Sequence, residues 1–320
     1  MASLIDIRSR AETPMMAGLI RAVEERSPFY NYLNLRQVDS ISYQMKEQGK
    51  YPGASFRDYN ATFSTQGTAP LDLINVQMMD FGLSSSTDPI LARERMREGG
   101  DYIASLRAEV AYSIGLDWKK HILGEGHSSG QPLGVKQWID FYNTSSNPLL
   151  FTTAANGEKL SASGGLQRFL ENMGKLIQAV RPNVLVTSRD VIATLYSLSV
   201  ANAQNNVLGS MFSYQTVVVD GKPEIISNFM GVNLIEAGED SSGADIIAFD
   251  ETVGSSSDCA TVYGIRFGAN DFSVLHRFPG LIDYNEYMQG QQTIIDVHAP
   301  FAPVAENTRC VGRVRGIKAE

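Results

Sequence analysis

The chain has 320 residues, 43% apolar and 19% charged, which excludes a mainly disordered polymer and leaves room for one large or two modest domains. Its 27 basic residues against 35 acidic ones give a net charge of -8, which argues against a dedicated nucleic-acid-binding module. No run of about 18 apolar residues occurs, so no membrane span is expected, and the opening MASLIDIRSRAETP has no apolar stretch of secretory-signal type.

Residues 1–37 read as an arm. Met15 to Glu25 fits one helix, with Met16, Leu19, Ile20 and Val23 at three-to-four spacing and Ser27-Pro28 closing it. A single short amphipathic helix cannot bury its own apolar face, so it has to lie on something else. Ile41, Tyr43 and Met45 then alternate with Ser42, Gln44 and Lys46, the period of a strand with two unlike faces. The polar tip Gln48-Gly49-Lys50-Tyr51-Pro52-Gly53 and a second extended stretch through Phe56, Tyr59 and Phe63 complete a two-stranded ribbon over 38–66. An isolated hairpin is marginal in water, so a ribbon this long is expected to rest on another surface.

Leu71 to Met79 reads as a further strand. Thr87-Asp88-Pro89 has the form of a helix start, and the helix is expected to run to about Leu123, roughly 50 Å at 1.5 Å per residue. Ile103, Leu106, Val110, Ile114, Trp118 and Ile122 mark its apolar side, while Gly99-Gly100 allows a kink or a later start near Asp101. A loop rich in Gly, Ser and Asn follows. Leu166, Phe169, Leu170, Met173, Leu176, Ile177 and Val180 form the stripe of a second helix, ended by Arg181-Pro182. Asn183 to Thr187 is expected in the middle of a sheet, Arg189 to Ala201 as a helix, and 216–219 and 231–236 as strands linked through Asp220-Gly221-Lys222-Pro223. Ile246 to Phe249 reads as a buried strand, and 262–267, 272–275, 293–297 and 310–314 as the strands of a mainly β C-terminal part. The order defines an α+β protein without repeats.

One motif carries possible chemistry. Gly126-His127-Ser128-Ser129-Gly130 matches the nucleophile elbow of serine hydrolases, which needs a sharp strand-to-helix turn and a downstream His; His276 and His298 qualify by order. Here a helix precedes the motif, and Gln131-Pro132-Leu133-Gly134 follows it, a poor helix opening. The histidines, at 121, 127, 276 and 298, form no metal-ligand pair, and no phosphate-binding glycine loop is present. Cys259 and Cys310 are expected as free, buried thiols. No catalytic, cofactor-binding or metal-binding residue is assigned.

A family resemblance runs through the chain. Ser27-Pro28, then Tyr51-Pro52-Gly53 with Phe56-Arg57 and Asn60, resembles the opening of tailed-bacteriophage major capsid proteins of the Hong Kong 97-type fold, which pair an SP after the first helix with a PG-x-x-FR-x-x-N stretch. Gly130-Gln131-Pro132-Leu133-Gly134-Val135 is similar to that family's QPLG loop, and Pro182 to Arg189 to its strand entering the next helix. Asn228 to Ile235, Val262 to Gly268 and Arg309 to Ile317 resemble later strands, with Asn233 standing where relatives usually carry Pro.

The resemblance implies a shell subunit that assembles into hexamers and pentamers of an icosahedral shell enclosing double-stranded DNA, in a virion built in the host cytoplasm. It implies an N-terminal arm (1–37), an extended β-hairpin loop (38–68), a peripheral domain with a long spine helix (69–155 and 257–320) and an axial domain (156–256). Contacts between subunits would be carried by the arm and loop, at Met16, Leu19, Tyr43, Met45, Lys46, Lys50, Tyr51, Pro52, Phe56 and Arg57. Partners would be other copies of the chain, a scaffolding protein and a portal, with a decoration protein as a further candidate, no membrane, and DNA only as non-specific contents. Some relatives crosslink through a lysine in the extended loop, but neither Lys46 nor Lys50 matches that chemistry. An encapsulin-like compartment shell shares the fold and is the alternative, with hydrolysis at Ser128 a distant third.

Overall fold

The computed structural model describes residues 28–47, 72–88, 102–201, 212–219, 222–278 and 281–319. After a 3-10 turn at Pro28–Asn31 come strands β1 (Leu35–Gln37), β2 (Ser42–Glu47), β3 (Asp72–Gln77) and β4 (Gly82–Thr87). Helix α1 (Tyr102–Leu123) and helix α2 (Val135–Tyr142) precede β5 (Leu150–Thr152) and β6 (Glu158–Lys159). Helix α3 (Gly165–Val180), β7 (Val184–Thr187) and helix α4 (Arg189–Ala201) follow as the spacing predicts. The rest is strand: β8 (Phe212–Val219), β9 (Lys222–Phe229), β10 (Val232–Glu236), β11 (Glu251–Val253), β12 (Ser256–Ile265), β13 (Phe272–His276), β14 (Asp283–Gln289), β15 (Gln292–His298), β16 (Phe301–Ala305) and β17 (Val311–Lys318).

The largest sheet has nine strands on the path β5-β17-β12-β7-β10-β9-β8, with β11 paired to β12 and β6 to β17. β7 lies inside it, parallel to β10 and antiparallel to β12, and all four of its side chains are buried. That is why its sequence is an unbroken apolar run: both faces are covered. Three smaller sheets stand beside it, ordered β1-β13-β16, β14-β15-β4 and β2-β3.

α3 seats its buried stripe, Phe169, Met173, Leu176 and Val180, against this sheet. Gly264 of β12 and Gly312 of β17 are register partners beneath it. A Cβ on Gly312 would stand 2.7 Å from Leu176 Cδ1 and 2.8 Å from Val180 Cγ2, and one on Gly264 would stand 3.2 Å from Leu176 Cδ2. The glycine pair lets the helix settle onto the backbone. Gly312→Ala is therefore expected to cost about 1–3 kcal/mol by overpacking, read as a lower urea midpoint with an unchanged slope; Gly264→Ala should cost less.

Several readings need correction. α2 lies where a loop was expected. β9 occupies what read as a link, pairing with β8 from Phe212↔Phe229 to Val219↔Lys222. Ile246 and Ile247 are buried as expected but belong to no strand. Thr87 ends a strand, β4, and the expected helix start at Pro89 lies outside the described residues. β2 pairs with β3 in register from Ser42↔Gln77 to Glu47↔Asp72, whereas the expected ribbon partner around Phe56–Phe63 lies outside the described residues.

Candidate assembly surfaces

The root of the ribbon is built by β2 and β3. Alternation turns Met45, Val76 and Met78 inward, and Met45 is 1% exposed. Met45 was expected at a contact between subunits. In the single chain its side chain is buried in the core with Val76 and Met78. Tyr43 is half-buried, and its hydroxyl donates to Glu306 Oε1 at 2.7 Å. Arg36 Nη2 donates to the same oxygen at 2.7 Å, and its guanidinium lies 4.6 Å from the centre of the Tyr43 ring. Burial, then the bond to Glu306, pushes the Tyr43 phenol up from its ordinary value. This clasp fixes the ribbon root to the end of β16; nothing in the sequence pattern foretells it, since its members lie up to 270 positions apart.

Lys46 stands opposite Leu73 in the ladder. Met16, Leu19, Lys50, Tyr51, Pro52, Phe56 and Arg57 lie outside the described residues. The described strands β2 and β3 end at Glu47 and Asp72, two directly paired positions.

Large apolar side chains remain exposed at separate places. Ile41 and Leu73 flank the ribbon root, Phe141 projects from α2, and Tyr196 and Val200 (59% exposed) lie on α4. Tyr287 and Met288 (66% exposed) stand near the β14–β15 turn, on a sheet-edge strand. Scattered exposed apolar residues are ordinary on a monomer.

The Ser128 motif does not form an elbow. Ser128 is exposed in a turn, its backbone N–H donates to Gln131 Oε1 at 3.0 Å, and the next helix begins at Val135. His276 Nδ1 bonds Phe278 O and His298 Nδ1 bonds Asp80 Oδ2, each at 2.8 Å, so neither ring is oriented by a contact with Ser128. Both cysteines are free and buried, as expected. Among the described residues no group of three or more His, Cys, Asp or Glu side chains could hold a metal ion, and no helix is long and apolar enough to cross a membrane.

A nine-stranded mixed sheet with the amphipathic helix α3 packed on it, a separate long helix, and the β2–β3 ladder together define the Hong Kong 97-type capsid fold. Solved structures share it over nine-tenths of the chain. The holo-SrpI encapsulin complex of Synechococcus elongatus PCC 7942 matches with a TM-score of 0.59 at 12% identity, covering 97% of this chain and 90% of that one. The capsid of the empty GTA particle matches at 0.58 and 12%, covering 91% and 90%. The capsid of Myoviridae phage XM1 matches at 0.56 and 9%, covering 91% of each. No family model and no curated protein matches the chain by sequence.

Proposed function

We propose that this chain is the major capsid protein of a tailed bacteriophage, whose copies form the hexamers and pentamers of an icosahedral shell around packaged double-stranded DNA. The observation that carries this reading is the capsid-type fold, which extends over nine-tenths of the chain. The role is structural, and no residue is assigned to catalysis. Under the same reading residues 1–37 are an arm, 38–68 an extended loop, 69–155 with 257–320 a peripheral domain, and 156–256 an axial domain. β12 and β17 nevertheless run in one sheet with β7 and β10, so the last two would share a continuous backbone. The arm and loop would find their missing apolar partners on neighbouring copies, in the large interfaces of obligate assemblies. A scaffolding protein, a portal and a decoration protein are the further partners of this reading, and the virion is its location.

The ladder supplies a clean test. Because Glu47 and Asp72 are paired, residues 48–71 can be replaced by Asn-Gly, a two-residue turn that closes an antiparallel hairpin. The shortened chain is expected to fold with the same far-ultraviolet dichroism and cooperative melting as the full chain. Expressed with its scaffold, the full chain should give closed shells in negative stain and the shortened chain none. Shells from both, or dispersed full-length subunits under all conditions, would count against the reading. Shells that enclose a protein cargo instead of nucleic acid would favour the encapsulin-like role.

A further inference from the structure

His276 is the last residue of β13, at a seam. On one side β13 pairs in parallel with β1, with Gln37 opposite His276; on the other it pairs with β16, with Phe301 opposite. The seam to β1 is short: three register pairs, continued by Val274 N–H on Asn34 O and Val38 N–H on His276 O, each at 2.9 Å. Beyond Val38 the chain leads directly into β2 and the ribbon root. The β1–β13 seam therefore shares with the Arg36–Tyr43–Glu306 clasp the task of holding the root's N-terminal attachment.

The His276 side chain is 2% exposed, and its Nδ1 lies 2.8 Å from the carbonyl oxygen of Phe278. A carbonyl only accepts, so Nδ1 carries the hydrogen and the neutral ring has its lone pair on Nε2. Among the described residues no carboxylate stands against the ring. From β1 the facing residue is the amide Gln37, while Arg36 is turned to Glu306; from β16 it is Phe301. Arg277, next in the chain, is exposed, and with Phe278 it lines a neighbouring cavity that also holds Asp80, Asp283 and His298. In that cavity Asp80 is already engaged by His298. Burial pushes the imidazole below its ordinary value, and the bond to Phe278 offsets this only in part.

We infer that His276 is an acid-operated latch: protonating its buried ring releases β1 from β13 and frees the N-terminal root of the ribbon. The sign follows from linkage. With β1 released the ring is solvated and titrates near 6.5; in the closed seam it titrates lower, so protons favour release as the pH falls through about 6.5. One proton can shift the opening equilibrium by at most about 30-fold between neutral pH and pH 5. Such a latch does not depend on the shell reading, because it acts within one subunit.

Hydrogen exchange on the full-length, unassembled chain tests it, at pH 7.5 and 5.0 with exchange times scaled for intrinsic rates. Peptides covering 34–38 and 272–276 are expected to lose protection by several-fold up to about 30-fold at the lower pH. Peptides from β7 and β12 should not. In His276→Gln, whose amide can still donate to Phe278 O, the acid-dependent loss should vanish; in His298→Gln it should persist. Unchanged wild-type protection, or the same loss in wild type and His276→Gln, would overturn the proposal. Should His276→Gln fail to fold, an NMR titration of wild type decides: the His276 midpoint must lie below 6.5, and protection must be lost between about 6.5 and that midpoint, levelling off below it.

Discussion

Arg313→Met is expected to destabilise the subunit by about 3–5 kcal/mol, the cost of stripping one partner from a buried ion pair. The Arg313 guanidinium is buried where β17 and β12 run side by side. Its Nη1 donates to Glu251 Oε1 at 2.7 Å and its Nη2 to Asp140 Oδ1 at 3.3 Å, tying β17 to β11 and α2. Thr261 donates to the other oxygen of Glu251. Tyr263, opposite Arg313 in the ladder, donates to Glu125, whose second oxygen takes Lys136 Nζ at 2.7 Å. Without Arg313, Glu251 keeps a largely buried negative charge with one hydroxyl to hold it. The double variant Arg313→Met, Glu251→Leu removes that charge as well and should recover more than half of the loss. Urea unfolding of the parent, Arg313→Met, Glu251→Leu and the double variant measures the coupling. A double variant as weak as the single one would mean that lost packing, and not a stranded carboxylate, sets the cost.

That network also shows where sequence reading stops. Where one face of an element is buried over several turns or a whole strand, the pattern is legible: the stripe on α3, the spacing from Val110 to Ile122 on α1, the unbroken run in β7. α2 carried the same signal in Val135, Trp138, Ile139 and Tyr142, all buried. It escaped because it spans only eight residues and opens directly after a Gly- and Pro-containing loop. Pro223 looked like a break between strands, yet it stands in the ladder opposite Val218, in the second position of β9. Ile246 and Ile247 are buried without being in a strand, because an apolar run reports burial and not hydrogen-bond partners. Alternation around Met45 gives two faces but not which is covered; within the chain the Met45 face is the covered one. The Arg36–Tyr43–Glu306 clasp and the Arg313 network join residues far apart in the chain. Single polar residues carry no periodicity, so only the fold reveals them.

Lys119→Met is expected to act in the opposite sense to Arg313→Met, although both remove a buried cation. Lys119 lies on α1 and is 2% exposed. Its ammonium fills the space over Gly238, where a Cβ would come within 2.9 Å of Nζ. Among the described residues no carboxylate lies within 4.0 Å of it; Glu236 and Glu239 attract it only from farther off. The true ion pair is made by its neighbour, Lys120 Nζ on Asp240 Oδ2 at 2.7 Å, while Asp117 takes the N–H and hydroxyl of Ser241. Burial outweighs the two glutamates and pulls the Lys119 amine down from 10.5 to about 8. Below pH 8 both the folded and unfolded chains carry the proton, and folding bears the full cost of burying it, about 3 kcal/mol. Between pH 8 and 10.5 the folded chain gives up the proton first, so stability rises with pH and the cost fades. Methionine has nearly the same reach, no charge to bury and, among the described residues, no ion pair to lose. The variant should therefore be more stable than the parent at pH 7, by up to about 3 kcal/mol, with most of the advantage gone by pH 10. Chemical denaturation at the two pH values reads both quantities. A less stable variant at pH 7 would show that Glu236 and Glu239 hold the ammonium more strongly than burial disfavours it. If the gain appears, α1 carries a buried charge against the loop after β10 that stability alone would have removed.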